Sequence, residues 1–149
     1  MESSRMPQDN LTYYLGGRDL LPAALSGEPA DCAALYLAIK RGLPVRVALV
    51  MRERIPRKVF DRVIPRTTLE SKRHPDARLS SQQSERILRI ARVYARAAEV
   101  FGDRQRGETW MARPNPALGG HAPAQLLDSE TGARAIEQVL GQMEHGIAA

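Results

Sequence analysis

The stretch that decides the fold is residues 110–132, W-M-A-R-P-N-P-A-L-G-G-H-A-P-A-Q-L-L-D-S-E-T-G. Two prolines and a Gly-Gly pair near its start limit the backbone angles that this segment can adopt. Pro123 can start a helical turn, because the first helical position needs no backbone N–H. Asp128 or Ser129 can cap the following helix by accepting a hydrogen bond from its free N–H groups. We therefore predict a rigid, shaped loop, with an ordinary helix–loop–helix corner as the alternative.

Helical patterns flank this loop on both sides. Apolar residues recur at helical spacing over residues 81–101, which predicts one long helix. Ser80 and Gln83 have the spacing of a capping box at its start. Asp103 can cap the next helix, and a last helix is expected over about residues 130–145. We expect the long helix to join the two halves of an all-α fold.

Glycine and proline residues divide the segment before the long helix into short helices. Cys32, Leu35, Tyr36 and Ile39 are expected to form the buried face of the first of these helices. The short helices are predicted over residues 31–41, 44–54, 57–64 and 66–74.

Three short helices with tight turns, followed by a fourth that carries basic residues, match the plan of a helix-turn-helix module. Residues 57–64 would be the first motif helix, and residues 66–74 would be the recognition-type helix, capped by Thr67 or Thr68. Any small helical bundle has helices of this length, which is the alternative. The residues predicted to reach phosphates and base edges are Arg57, Arg66, Thr67, Thr68, Ser71, Lys72 and Arg73.

The charge of the chain is unevenly distributed. Residues 1–39 have two basic and five acidic side chains, residues 40–96 have sixteen and five, and residues 97–149 have four and seven. The middle segment thus carries +11 between flanks of −3 each. This distribution is typical of a nucleic-acid-binding module joined to another module. A solvated, arginine-rich helical surface is the alternative, and charge alone does not separate the two.

Length and composition exclude several classes of protein. A chain of 149 residues fits one domain, or two very small ones that share a core. The single cysteine, Cys32, excludes an internal disulfide and a cysteine-based metal cage. No apolar run reaches the length of a membrane-spanning helix, and residues 1–10 lack the apolar core of a signal peptide. We therefore expect a cytoplasmic protein without membrane association.

The sequence contains no pattern that is typical of catalysis. His74, His121 and His145 show no metal-ligand spacing. The Gly119-Gly120 pair lacks the Lys-Ser/Thr continuation of a P-loop. We expect no catalytic residues, no metal site and no cofactor, and hence a binding protein. A nucleotide-binding enzyme that uses Gly119-Gly120 is the alternative.

Several motifs together resemble a known family. L-S-x-x-x-S-E-R-I-L-R-I-A-R-V-Y begins at residue 79, F-G-D at 101, W-M-x-R-P-N-P-A-L-G-G at 110, and V-L-G-Q-M-E-H-G-I at 139. In order and spacing, residues 79–146 resemble the toxin-binding region of the Xre/MbcA/ParS-type antitoxins. Residues 31–78, with P-R-T-T-L, are similar to the Xre-like helix-turn-helix that precedes it. Gly107 departs from the family's more frequent alanine and Met111 from leucine, which puts local helix stability in doubt.

The resemblance implies an antitoxin of a type II toxin–antitoxin pair. Its usual partner is a RES-domain toxin that degrades NAD or transfers ADP-ribose from it, and the antitoxin would cover the NAD entrance. The helix-turn-helix would bind operator DNA and repress the protein's own operon, as a homodimer within a larger complex. A stand-alone repressor whose C-terminal region only dimerises is the alternative.

The implied domains are an arm over residues 1–30, the helix-turn-helix over 31–78 and the toxin-binding domain over 79–149. A preshaped loop lowers the ordering cost of binding. The acidic C-terminal segment suits a toxin pocket that attracts an anionic dinucleotide. Leu118 can instead belong to the core, and Asn115 can be a loop-fixing cap. The residues expected to face the toxin are Asn115, Leu118, Gly119, Gly120, His121, Glu144, His145 and Gly146.

Overall fold

The structure, a computed structural model, describes residues 7–17, 32–74 and 76–146. These ranges are helical and contain no β-strand, apart from an isolated bridge between Pro44 and Arg78. The predicted all-α fold is confirmed. The helices are α1 (Pro7–Tyr14), α2 (Cys32–Arg41), α3 (Val45–Arg54), α4 (Arg57–Val63), α5 (Arg66–Glu70), α6 (Ser81–Phe101), α7 (Arg104–Ala112) and α8 (Glu130–Glu144), with 3₁₀ turns Pro116–Leu118 and Pro123–Leu126 between α7 and α8.

The chain divides into two compact units. The N-terminal unit is formed by residues 12–88, and the C-terminal unit by residues 1–11 and 89–149. Helix α6 has its predicted bounds and supplies residues to both units. Its predicted capping box is present, because Gln83 N donates to Ser80 Oγ (3.0 Å) and Ser80 N donates to Gln83 Oε1 (2.8 Å). None of the helices in the described ranges combines the length and the hydropathy that crossing a bilayer requires.

The N-terminal unit closes around a tight corner between α2 and α3. Gly42 has a φ of +95°, and a Cβ built there would lie 2.1 Å from the carbonyl oxygen of Leu79. The buried Ser84 hydroxyl accepts a hydrogen bond from Leu43 N at 2.8 Å, and Leu79 N donates to Leu43 O at 2.9 Å. Only glycine fits this corner, because the left-handed backbone and the close carbonyl both exclude a side chain. The surrounding core is apolar, with Val47, Met51, Phe60 and Ile64 fully buried.

The recognition-type helix is shorter than predicted. Helix α5 ends at Glu70 and not at His74, and Ser71 is its C-cap. The predicted capping by Thr67 or Thr68 is also wrong, because Pro65 is the N-cap and makes no side-chain cap bond. Proline fixes a backbone angle that leads into a helix, so α5 starts without a side-chain acceptor.

The described part of the N-terminal arm is helical, because α1 begins at Pro7, and Tyr14 and Leu15 at its end are buried. Tyr36 was expected on the buried face of α2 but is 60% exposed, whereas Ile39 is buried as predicted. The side chain of Cys32 and residues 18–31 lie outside the described residues.

The C-terminal unit is packed around α6. Tyr94, Ala97 and Ala98 of its apolar stripe are buried, as are Met111 of α7 and Ile136 of α8. Asp103 caps α7 as predicted, accepting from Arg106 N at 3.1 Å.

Gly107 allows α7 to approach α6 closely. A Cβ built on Gly107 would lie 2.9 Å from the backbone carbon of Ala97 and from the backbone nitrogen of Ala98. In this chain the departure from the family's alanine therefore suits the helix packing. The expectation that Gly107 only puts helix stability in doubt is incomplete, because sequence spacing does not show how near the two backbones come.

Candidate functional sites

The loop from Asn115 to His121 is closed by its own hydrogen bonds. Asn115 N donates to His121 O at 3.0 Å, and Gly120 N donates to Asn115 O at 2.9 Å. The Asn115 side chain accepts from Ala117 N at 2.9 Å, as expected for a loop-fixing cap. Gly119 and Gly120 have φ values of +68° and +83°, a left-handed conformation that glycine adopts without strain. The predicted rigid loop is therefore present in the structure.

Backbone N–H groups of this loop already donate hydrogen bonds within the loop. Leu118 N donates to Asn115 O at 3.0 Å, Gly119 N to Pro116 O at 3.2 Å, and His121 N to Leu118 O at 3.2 Å. A phosphate-binding loop needs several free N–H groups that converge on the anion. The Gly119-Gly120 pair does not provide such groups, which removes the basis for the nucleotide-binding alternative at this loop.

Exposure separates the residues of the loop into two roles. Gly119, Gly120 and His121 are exposed, which leaves them available to a partner. Leu118 is 9% exposed, so its side chain belongs to the core, which was the alternative to a toxin contact, and it has little surface to offer a partner. Ala117 is exposed and was missed, because the sequence does not show which side of the 3₁₀ turn points outward.

The second half of the stretch fastens the loop to α8. Pro123 begins a 3₁₀ turn, and Leu127 after it is fully buried. Ser129 is the N-cap of α8 and accepts from Gly132 N at 2.9 Å, as predicted. A Cβ on Gly132 would lie 2.0 Å from the carbonyl oxygen of Leu126, so only glycine allows this close approach.

Ion pairs between arginines of α6 and glutamates of α8 connect the two helices, and together they are called the ladder. The central rung joins Arg92 Nε to Glu137 Oε2 at 3.1 Å, and Arg92 Nη2 reaches Glu130 Oε2 at 3.3 Å. Arg89 Nε lies 3.7 Å from Glu130 Oε1. The ladder consists of Arg89, Arg92 and Arg96 on α6 and Glu130, Glu137 and Glu144 on α8.

The predicted site residue Glu144 belongs to this ladder. Its carboxylate bonds to the Arg96 guanidinium, and this hydrogen bond holds the pKa of Glu144 below its usual value. His145 and Gly146, which follow it, are exposed at the end of α8. Glu130 and Glu137 pair in the same way, and Glu99 lies 3.6 Å from Arg96 within α6. Four of the seven acidic side chains in residues 97–149 therefore pair with arginines of α6. The acidic flank is thus largely neutralised internally, which weakens the charge argument for a toxin pocket.

A basic cleft of about 530 Å³ lies in the N-terminal unit along α3 and α5. Arg66, Lys72 and Arg73, all predicted to contact DNA, line it. Arg46 of α3 lines the same cleft and is exposed, and was missed because only the fold brings α3 beside α5. Val45, Leu49 and Leu69 give the cleft an apolar floor.

The other predicted DNA contacts lie outside the lining of the basic cleft. Arg57 pairs with Glu53 at 3.0 Å on the exposed surface where α3 leads into α4. Ser71 Oγ donates to Thr68 O at 2.8 Å, within the end of α5, and Thr67 is exposed. The structure therefore gathers three of the four predicted cations, Arg66, Lys72 and Arg73, at one cleft. Arg57 and the hydroxyl residues lie outside its lining.

The fold and the two sites together define a class: a helix-turn-helix protein with a second unit that presents a rigid loop. Residues 34–92 match the family described as the antitoxin Xre-like helix-turn-helix domain. Residues 96–146 match the antitoxin Xre/MbcA/ParS C-terminal toxin-binding domain.

Named relatives agree with these matches. An antitoxin Xre of Yersinia enterocolitica is 36% identical over 127 residues, covering 81% of this chain and 86% of the relative. An antitoxin Xre of Pseudomonas putida is 33% identical over 86 residues, covering 58% of this chain and 54% of the relative. A Prs ADP-ribosylating antitoxin of a Sphingobium strain is 30% identical over 100 residues, covering 59% of this chain and 62% of the relative. The chain belongs to the Xre/MbcA/ParS family of antitoxins, and it is an antitoxin of a toxin–antitoxin system with a DNA-binding helix-turn-helix domain.

Proposed function

We propose that the chain neutralises a RES-domain toxin that consumes NAD, by laying the loop from Asn115 to His121 over the entrance of the toxin's NAD pocket. The hydrogen-bonded closure of this loop is the observation that supports the proposal. A loop whose shape is fixed before binding loses little conformational entropy on docking. The Prs relative is named an ADP-ribosylating antitoxin, and ADP-ribosylation takes its ADP-ribose from NAD.

The proposed contact residues fall into two groups. Gly119, Gly120 and His121 form the first group, together with the outward-facing Ala117. The exposed end of α8, His145 and Gly146, forms the second group, with Glu144 held in place by Arg96. Asn115 acts by holding the loop, because its side chain is used as a cap.

Co-expression with the product of the neighbouring reading frame tests this function. The wild-type chain is expected to restore growth and to keep cellular NAD at the level of cells without the toxin. Ala117→Arg adds a bulky cation on the outside of the loop and is expected to abolish rescue. Ala33→Arg makes the same change at an exposed alanine of α2 and is the matched control. Rescue by Ala117→Arg equal to that of the control would contradict loop docking.

We also propose that the basic cleft binds the operator of the chain's own operon and that the protein does so as a homodimer. The five cationic side chains that line this cleft fit a phosphate backbone. We also propose that the DNA-binding domain extends from residue 31 to residue 78, between the N-terminal arm and the toxin-binding domain. A promoter–reporter assay and sedimentation equilibrium test it, with repression and a dimer mass expected. Repression without any toxin binding would favour the stand-alone repressor.

A further inference from the structure

A second cleft, of about 550 Å³, lies in the C-terminal unit along α7 and the end of α6. Phe101 and Trp110 form its aromatic part, with ring centroids 6.0 Å apart and planes inclined by 42°. Both side chains are only partly buried. The chain has a single tryptophan and two phenylalanines, and this cleft holds the tryptophan and one phenylalanine at an open surface, whereas Phe60 is buried in the core.

Two cations stand at the mouth of this aromatic cleft. Arg106 and Arg113 line it and are exposed, and among the described residues neither guanidinium forms an ion pair or a side-chain hydrogen bond. Asp103, the acidic residue of the lining, already accepts from Arg106 N at 3.1 Å as the cap of α7. The Thr109 hydroxyl donates to Gln105 O at 2.9 Å. Two exposed guanidinium groups beside an aromatic surface are thus available to a ligand, and the side chain of Gln105 also lines the cleft.

We propose that this aromatic cleft is a second contact of the toxin interface and that it takes a segment of the toxin carrying a carboxylate next to an apolar side chain. The proposal rests on the proposed function, because it assumes that a toxin docks on the C-terminal unit. Arg113 is exposed and lies two residues before Asn115, where the loop begins, so the lining of the cleft and the loop are adjacent in the chain. Arginine binds carboxylates through two parallel hydrogen bonds, and tryptophan and arginine are the residues most enriched among strong interface contacts.

The sole tryptophan allows a direct measurement. The full chain is labelled with 5-fluorotryptophan, so that the ¹⁹F resonance reports on Trp110 alone and excludes any tryptophan of the unlabelled toxin. Titration with the purified product of the neighbouring gene is expected to shift this resonance until one site is saturated. Salt at high concentration is expected to weaken the titration, because the arginine–carboxylate contacts are partly exposed.

Charge reversals decide the chemistry of the partner. Arg106→Glu and Arg113→Glu are each expected to lower toxin affinity roughly tenfold, the size of a typical interface contact. Arg134→Glu reverses an exposed arginine on α8 outside the cleft and is the matched control, expected to bind within about twofold of the wild type.

The outcomes separate the two proposals. Tight toxin binding with an unchanged ¹⁹F resonance would overturn the cleft contact and leave loop docking intact. A shifted resonance with full affinity in both charge reversals would overturn the acidic character of the toxin segment. Absence of toxin binding by the wild-type chain would instead overturn the proposed function, and the cleft contact with it.

Discussion

Two groups of arginines, one in each unit, have opposite environments. In the C-terminal unit, Arg89, Arg92 and Arg96 face the glutamates of α8. In the N-terminal unit, Arg46 and Arg73 line an open cleft and pair with no acidic side chain in the described part of the chain. The sequence counts all of them in one basic segment, residues 40–96. The net charge of this segment thus overstates the positive charge available to nucleic acid. It counts arginines that pair with glutamates of α8, far along the chain, together with arginines that have no acidic partner in the described ranges.

The largest effects are expected at the two glycines whose Cβ would come closest to a backbone carbonyl, Gly42 in the N-terminal unit and Gly132 in the C-terminal unit. Gly42→Ala and Gly132→Ala would each place a Cβ about 2 Å from a carbonyl oxygen. Each substitution is expected to destabilise its own unit by about 3 kcal/mol, because the backbones must separate. Urea unfolding followed by circular dichroism measures the loss.

Gly141 of α8 is the matched control for these substitutions. A Cβ there meets nothing within 4 Å. Gly141→Ala is expected to stabilise the chain by about 0.5–1 kcal/mol, because alanine is the better helix former. Equal stability of Gly132→Ala and Gly141→Ala would show that the loop is not held against α8 as described.

The next largest effect is a loss of operator affinity, which should differ between arginines with and without an acidic partner. Arg46→Ala and Arg73→Ala are each expected to weaken operator binding and to lower the slope of log affinity against log salt by about one. Arg92→Ala is expected to leave that slope unchanged, since Arg92 is paired with Glu137 and Glu130. Fluorescence anisotropy at several salt concentrations measures the slopes. Equal losses for all three variants would mean that the basic cleft is not the DNA surface.

A smaller effect is expected from breaking the central rung of the ladder. Burial alone would disfavour the charged form of Arg92, but hydrogen bonds to Glu137 and the charges of both glutamates raise its pKa overall. Arg92→Ala is expected to cost about 1 kcal/mol, because the pair is partly solvent-screened. Arg134→Ala, an exposed arginine of the same unit, is the control in thermal unfolding. The difference between the two should shrink at high salt.

The smallest effect is the pH dependence at the end of α8. The Arg96 hydrogen bond lowers the pKa of Glu144, so its stabilisation is present above the ordinary glutamate pKa and is lost as pH falls through the lowered value. Burial, partly offset by Arg96, raises the pKa of Glu99, which acts in the opposite sense because its proton is held more tightly in the folded chain. Glu144→Gln is expected to reduce the fall in Tm below about pH 4.5. An unchanged acid profile would exclude a role of the Arg96–Glu144 pair.

The sequence predicted the elements whose causes are local. The long helix, the Ser80–Gln83 capping box and the Asp103 and Ser129 caps depend on neighbouring residues, and all are present. The rigid loop was predictable for the same reason, because proline and glycine fix their own backbone angles.

Features that depend on packing between distant segments were not predictable. The place of Arg46 beside α5, the pairing of Glu144 with Arg96 and the fit of Gly107 against Ala97 each join residues far apart in the chain. The burial of Leu118 had been given as the alternative to toxin contact, and the structure decides for the core.

The most direct test of loop docking is a crystal structure of the chain bound to the product of its neighbouring gene. We predict that Gly119, Gly120 and His121 lie against the toxin at the entrance of its NAD pocket, with the basic cleft of the N-terminal unit left free. A complex in which the toxin occupies another surface and the loop faces solvent, with the pocket open, would contradict this central claim.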